Sequence, residues 1–406
     1  MRIACILTVF PSMSETFVFS DLRALREAGH ELGLLYFLDR PISVWQPDAL
    51  RLRDCVIRGG PLVSWGVLRD LLAFLFRRPL ALLGTLGWIA LRGGDNWRGR
   101  AKTLLILPKC VQFAADCRRW KADQVHATWA NHAAVAAMVT KRLAGIPFSM
   151  SAHAGQDVFR DPVMLKEKVA GAEFVAVCNR SAFERLREIA GPDSQGKIHH
   201  ISHGVDIERF RRPARRDRGH PPRLLFVGRL QYGKGVPYLI EAADLLRSAG
   251  RDFHLDLVGE GPEAGEIRSS IERKGLGDRV SLRGAAGHEE VAGHFARADV
   301  LILSSEVRHD GGREGLSNVV LEAMASGVPV VATRVSSIEE AVEDQVSGLL
   351  VPQKNPAALA AAVGRLLDDP GLAERMAQIA RRVVEERFDR RSCAHRFAAL
   401  FGHRPA

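Results

Sequence analysis

Two glutamates, Glu314 and Glu322, stand eight positions apart in the run G-R-E-G-L-S-N-V-V-L-E-A-M-A-S-G-V-P from Gly312 to Pro329. Gly315 follows the first, and Val319, Val320, Leu321, Ala323 and Met324 surround the second. This pattern predicts a helix that starts near Leu316 and is stopped by Ser326-Gly327-Val328-Pro329, then a buried strand at Val330 to Thr333. Glu314 then lies in the loop before the helix, and Glu322 about two turns into it. The first backbone N–H groups, near Leu316, Ser317, Asn318 and Val319, have no partner inside a helix and form an anion site. A carboxylate at each end of an anion site suits a ligand with phosphate in the middle and hydroxyls at both ends. A nucleotide sugar is such a ligand. Either glutamate alone would be explained as a cap or a solvated face; the spacing and the glycine together carry the chemistry.

Three other stretches could work on the same ligand. Gly228-Arg229-Leu230-Gln231-Tyr232-Gly233-Lys234-Gly235 nearly matches the P-loop, with Gly235 in place of the hydroxyl residue that would hold Mg²⁺. An Mg²⁺-dependent nucleotidase is therefore disfavoured, while Arg229 and Lys234 remain as two cations beside Gly228, suited to a diphosphate. Gly259-Glu260-Gly261-Pro262-Glu263-Ala264 imitates a dinucleotide fingerprint. The next strand ends on Arg283 rather than on the acid that would bind a ribose. A basic residue there suits a phosphate, so this loop alone leaves a reductase open. In the first half, His153 follows a strand at Phe148 to Ser151, with Asp157 close behind. Glu15 and Thr16 open a helix after the first strand, where they are either acceptor or phosphate contacts or a plain capping pair. His199, His200 and His203 could hold a metal, but neither a carboxylate nor a cysteine cluster accompanies them in sequence. There is also no D-x-D motif, so no metal is assigned.

The Glu314/Glu322 stretch resembles the E-x7-E signature of the large retaining glycosyltransferase family with the GT-B fold, family four. The resemblance implies that Glu314 contacts the donor sugar and Glu322 the ribose. It implies that Arg229 and Lys234 stabilise the leaving diphosphate, and that Gly259 and Gly261 form a turn near the nucleotide. It also sets His153 against the transferred sugar, while the two residues between Ala154 and Asp157 depart from the commoner single one. His203-Gly204-Val205-Asp206 is similar to the family's N-G-V-D, with His203 for Asn. The first loop, P-S-M-S-E-T-F from Pro11, resembles that of bacterial exopolysaccharide enzymes of the colanic-acid type. The likeness is weak before residue 200 and strong from Arg223 to Val351.

A framework of alternating strands and helices is needed to hold these residues, and the chain supplies it twice. Its 406 residues, 47% hydrophobic and 26% charged, suggest two soluble α/β domains. Strands are predicted at Ile3 to Val9, Glu31 to Tyr36, Gln124 to Ala127, Phe148 to Ser151, Phe174 to Val177 and Lys197 to Ile201. A second series covers Leu224 to Val227, His254 to Val258, Val280 to Arg283, Val300 to Leu303, Val328 to Ala332 and Gly348 to Val351. Helices between them imply parallel sheets covered on both faces. The expected organisation is a first Rossmann-like, acceptor-binding domain over 1–205, a polar linker over 206–222, a donor domain over 223–385 and a helix crossing back over 386–406. The two doubly wound domains would face a central cleft, in the GT-B manner.

The net charge of +10 is concentrated. Between Pro61 and Lys121, eleven Lys and Arg face three acids, and four of the six tryptophans lie there. A basic helical insert with apolar and Trp residues suits an anionic membrane surface; the plainer reading is a helical hairpin with a solvated basic rim. No nucleic-acid motif accompanies the charge. The longest apolar run, Leu71 to Leu91, is broken by Arg77-Arg78-Pro79, short of the ~20 residues that span a bilayer. Six cysteines without C-x-x-C pairing suit a reducing compartment. The expectation is therefore a cytoplasmic enzyme, peripheral to the inner face of the membrane if the insert binds there. It would use no cofactor and no metal. It would transfer a hexose, with retention, from a UDP- or GDP-type sugar to a glycan or lipid-linked acceptor in cell-surface polysaccharide synthesis. The alternatives are a nucleotide-sugar epimerase of the same fold and a non-catalytic nucleotide-sugar-binding subunit.

Overall fold

The computed structural model describes residues 1–12, 16–39, 47–92, 97–153, 156–160, 162–211, 221–307, 316–335 and 337–402. They form two compact units. Unit 1 comprises Met1–His203 and the residues from Ala394 onward; unit 2 comprises Gly204–Cys393.

Unit 1 runs β1 (Arg2–Phe10), α1 (Thr16–Glu27), β2 (Glu31–Asp39), α2 (Pro47–Arg51), β3 (Val56–Arg58), α3 (Trp65–Arg77), α4 (Pro79–Arg92), α5 (Trp97–Trp120) and β4 (Gln124–Ala127). It continues with α6 (His132–Ala144), β5 (Phe148–Ala152), α7 (Leu165–Gly171), β6 (Val175–Val177), α8 (Arg180–Ala190) and β7 (Ile198–His200). The seven strands form one sheet in the order β3-β2-β1-β4-β5-β6-β7, every pair parallel. Such a sheet is covered on both faces, and its central strands are continuous apolar runs. Ile3, Ala4, Cys5, Ile6 and Leu7 in β1 are wholly buried. The order reverses between β1 and β4, so the loops leaving those two strands diverge and open a crevice at their carboxyl ends.

Unit 2 repeats the plan with β8 (Arg223–Val227), α9 (Val236–Ser248), β9 (His254–Val258), α10 (Ala264–Arg273), β10 (Val280–Gly284), α11 (His288–Arg297) and β11 (Val300–Leu303). Then come α12 (Asn318–Ala325), β12 (Val330–Thr333), β13 (Leu349–Val351), α13 (Pro356–Asp368), α14 (Pro370–Arg387) and α15 (Arg390–Ala399), which passes into unit 1 at Ala394. The sheet order is β10-β9-β8-β11-β12-β13, again all parallel, with the reversal between β8 and β11.

Two differences from the sequence reading have physical causes. The strand after α12 begins at Val330, as the motif predicts and two residues past the start of the apolar run at Val328, because Gly327 turns left-handed at φ 65° and the Val328 N–H closes α12 on the Ala323 carbonyl at 2.8 Å. Of the stretch expected as a linker, Asp206 to Arg211 is built into unit 2. Asp206 accepts the Arg209 N–H at 3.1 Å, and buried Phe210 packs edge-on to Phe295. The C-terminal end crosses back as expected, while α14 stays in the core of unit 2 through Ala380 and Val384. Only the last residues return to unit 1, where Phe397 and Phe401 join Phe19, Leu22 and Phe174.

The basic segment is three helices. The carboxylates of Asp70 on α3 and Asp116 on α5 are buried and shared with Arg119, which reaches Asp70 at 2.8 Å and Asp116 at 2.6 Å, while Arg58 reaches Asp116 at 2.8 Å. Part of the positive charge is thus neutralised within the unit. Among the described residues no single helix is long and apolar enough to cross a membrane; α3 and α4 together would be, but they meet at 111°.

Candidate functional site

In unit 2 the loop leaving β8 lies at the sheet's reversal and is held on two sides by glycines. The Gly228 N–H donates to the Val258 carbonyl at 3.0 Å, and the Leu230 N–H to the Glu260 carbonyl at 2.9 Å. A Cβ on Gly259 would lie 1.9 Å from the Gly228 oxygen, and one on Gly261 would lie 2.1 Å from the Leu230 oxygen. The two glycine motifs of the sequence are therefore one interlocked structure. At the other side Gly235 is left-handed, with φ 63°, and a Cβ there would lie 1.9 Å from the carbonyl oxygen of Ser304, the residue after β11. Ser304 Oγ donates to the Lys234 carbonyl at 3.0 Å, and the Glu306 N–H to that of Gly233 at 2.9 Å. The loops after β8 and β11 thus meet at the point where the topology opens the crevice. Arg229 is exposed at the tip. The Lys234 stem folds back, its Cε 3.9 Å from where a Gly228 Cβ would stand.

The helix α12 begins on the same edge of the sheet. Its first amides, from Asn318, precede the first helical hydrogen bond, which the Ser317 carbonyl accepts from Val320 at 3.1 Å. Leu316 and Ser317 lead into that end. Glu322 sits half-buried in its second turn; burial pushes its carboxyl up to about 7, against the opposing pull of Arg209. Glu314, Gly315 and Glu15 lie outside the described residues, as does the side chain of Thr16. Arg283 is committed to its neighbour strand: it donates to Asp256 on β9 at 2.5 Å.

In unit 1, β5, β6 and β7 are adjacent and in register, Ala152 beside Val177 and Val177 beside His200. The residues that follow each strand therefore share one edge. His153 follows β5, Cys178 follows β6, and His203 lies three residues past β7. Their metal-ligating atoms lie within 4.8 Å of one another. The cysteine that the sequence reading missed beside the histidines is supplied by the sheet. Burial alone would raise the Cys178 thiol, but the imidazoles of His203 and His153 draw it well below the ordinary thiol range. His153 is 5% exposed, its ring 4.2 Å from that of Trp129 and 5.0 Å from Phe17. Asp157 is a positioning carboxylate: Oδ2 accepts the N–H of His153 at 2.9 Å and of Ala130 at 3.3 Å. Burial pushes its carboxyl up to about 6. Buried Lys168 donates to the carbonyls of Ala130 at 2.7 Å and Asn131 at 2.9 Å. Asp157 and Lys168 together fix the loop after β4 against His153. Nothing local in the sequence marks Lys168; Cys178 was findable as the residue ending the strand next to that of His153.

Residues 208–383 match the family model "Glycosyl transferases group 1". The amylovoran biosynthesis glycosyltransferase AmsK of Erwinia amylovora is 30% identical over 310 residues, covering 74% of this chain and 75% of the relative. The chain belongs to the glycosyl transferases group 1 family. It is thus a glycosyltransferase. The putative colanic acid biosynthesis glycosyltransferase WcaL of Salmonella typhimurium is similar end to end, 26% identical over 98% of this chain and 99% of its own. Among solved structures, Anabaena HepE in complex with UDP superposes with a TM-score of 0.72 at 17% identity, covering 99% of both chains. That likeness establishes the GT-B fold of this glycosyltransferase.

Proposed function

We propose that this glycosyltransferase moves a hexose, with retention, from a UDP- or GDP-type sugar to a glycan or lipid-linked acceptor in cell-surface polysaccharide synthesis, with no metal on the diphosphate. The observation that carries the reading is the meeting of the loops after β8 and β11 at the reversal point of one sheet, with two cations on the first loop and α12 starting on the same edge. A diphosphate there is met by Arg229, Lys234 and the α12 amides, and charge developing on the leaving group is stabilised without reorganisation. Glu322 then accepts the ribose hydroxyls and Glu314 positions the sugar. The acceptor hydroxyl attacks from the face the diphosphate leaves, and a phosphate oxygen takes its proton. The similarity to WcaL, a putative colanic acid biosynthesis glycosyltransferase, and to AmsK, an amylovoran biosynthesis glycosyltransferase, supports the acceptor class.

The two glutamates test this reading. Glu314→Ala is expected to lower kcat while leaving the dissociation constant of the free nucleoside diphosphate close to wild type. Glu322→Gln is expected to weaken that binding and to change its pH dependence. A carboxylate accepts hydroxyl hydrogen bonds more strongly than a neutral group. Because Glu322 keeps its proton up to about pH 7, wild-type affinity should climb between pH 6 and 8 more steeply than that of Glu322→Gln. The folding sign is the reverse. The unfolded chain releases this proton near the ordinary 4.5, so the group costs unit 2 stability as pH rises from there to about 7. Parallel pH slopes in calorimetric titrations of the two proteins would remove Glu322 from the ribose.

The basic helices are the place where an anionic membrane fits. Trp65, Phe76, Leu80 and Leu91 on α3 and α4 are each at least 77% exposed, beside exposed Arg77 and Arg92. Apolar side chains rimmed by cations are what an interfacial helix inserts into an anionic surface, at about 1 kcal/mol per basic residue. Wild type is expected to co-sediment with phosphatidylglycerol-containing vesicles at low salt and to be released at high salt. Combining Arg77→Gln, Arg92→Gln and Phe76→Ser should abolish sedimentation with an unchanged circular dichroism spectrum. Wild type left in the supernatant at low salt would make these helices a solvated surface.

A further inference from the structure

Three side chains of unit 1 face one another in a way that glycosyl transfer does not require. His153 Nε2 stands 2.9 Å from the Thr128 carbonyl. A carbonyl only accepts, so this nitrogen carries the hydrogen and Nδ1 presents its lone pair. His203 Nδ1 stands 3.5 Å from the Asp21 carboxylate, which keeps a hydrogen on Nδ1 and leaves Nε2 as the acceptor when the ring is neutral. The two lone pairs then point at each other across 3.0 Å. Two acceptors at that distance repel unless a proton or a metal ion lies between them. A proton needs only these two nitrogens. Here a third donor, the Cys178 sulfur, is gathered with them inside 4.8 Å, which is more than a shared proton uses.

The donor set chooses the ion. Two imidazoles and a thiolate suit Zn²⁺, whereas Mg²⁺ and Ca²⁺ need oxygen ligands. Tetrahedral Zn–N bonds of about 2.0–2.1 Å put two nitrogens roughly 3.3 Å apart, close to the separation here. The Thr128 carbonyl and the Asp21 carboxylate occupy the places from which outer partners orient metal-bound imidazoles. Beside the three donors is a cavity of about 10 Å³, lined also by Ser151 and Ser202, with room for one water as a fourth ligand. We propose that His153, Cys178 and His203 bind one Zn²⁺ per chain. All three ligands belong to unit 1, so the site is separate from the diphosphate loop of unit 2 and independent of the donor assigned above.

The experiment uses full-length, tag-free protein, stripped with a chelator and dialysed. Co²⁺ is titrated first, as a spectroscopic stand-in for Zn²⁺. The expected result is a thiolate-to-cobalt charge-transfer band that saturates at one equivalent and is bleached by Zn²⁺. The band should persist in Cys55→Ser, which alters the other partly exposed thiol. In calorimetric titration, Cys178→Ser and His203→Asn should each lose at least about tenfold in Zn²⁺ affinity, the least that loss of a direct ligand should cost. The absence of the band in wild type, or Zn²⁺ binding that is equal in Cys178→Ser, would overturn the site and leave a proton shared between the histidines. The wild-type spectrum decides even if a variant fails to fold.

Discussion

Gly235→Ser, the change that would complete the P-loop motif, is expected to break the diphosphate loop rather than to create an Mg²⁺ site. Gly235 is left-handed, which costs a residue with a Cβ about 1–2 kcal/mol. Its Cβ would also be 1.9 Å from the Ser304 carbonyl oxygen, a backbone atom that cannot swing aside. Overpacking of this kind costs about 1–3 kcal/mol more. The sum is a loss of ~2–5 kcal/mol, or a fall in Tm on the order of 4–20 °C for a unit of this size. Nucleoside diphosphate binding should be lost along with the loop, and added Mg²⁺ should not restore it. In wild type, added Mg²⁺ or Mn²⁺ should leave turnover unchanged. Thermal denaturation and calorimetry read both outcomes. A Gly235→Ser protein as stable as wild type, binding nucleotide more tightly with Mg²⁺, would mean that the loop works as a metal-dependent phosphate site after all.

Lys234→Ala and Arg229→Ala should each weaken nucleoside diphosphate binding by at least ~1.5 kcal/mol, more than about tenfold in Kd. The effect on kcat/KM should be larger, on the order of 10²-fold for Lys234, because the charge on the diphosphate grows as the sugar leaves. Arg283→Ala is the contrast. Its guanidinium is already engaged by Asp256, so its removal should disturb the β9–β10 edge more than the nucleotide. Equal losses in all three variants would mean that a diffuse positive field, not two placed cations, holds the phosphates.

Much of the framework is legible in the sequence, for a physical reason. The strands Gln124–Ala127, His254–Val258 and Val300–Leu303 and the helix His132–Ala144 have the bounds that their apolar runs predict. Strands of a parallel sheet are buried on both faces, and a short run of Val, Leu and Ile is then hard to mistake. β3 escapes because its three residues are only half-buried at the sheet edge and carry no period. The β8 loop is visible because its chemistry and its glycines fall within eight residues. Its interlock with Gly259 and Gly261 is not, since it depends on β8 lying beside β9. The cluster of His153, Cys178 and His203 is less visible still. Those residues are 25 apart in each step, and only the register of three strands brings them together.

The return of the chain after Cys393 has a consequence for the order in which the molecule can be made. Unit 1 lacks Phe397 and Phe401 until the residues that follow unit 2 leave the ribosome, and both are buried against α1 and β6 in its core. At about 5–20 residues per second, the intervening unit 2 takes roughly 10–40 s to synthesise. For that interval the nascent first unit carries an open apolar trough where Phe19, Leu22 and Phe174 await their partners. Unit 2, in contrast, is one unbroken segment and can complete itself as it emerges. Unit 1, entered before unit 2, is therefore completed only after it, and a chaperone would have most to shield there.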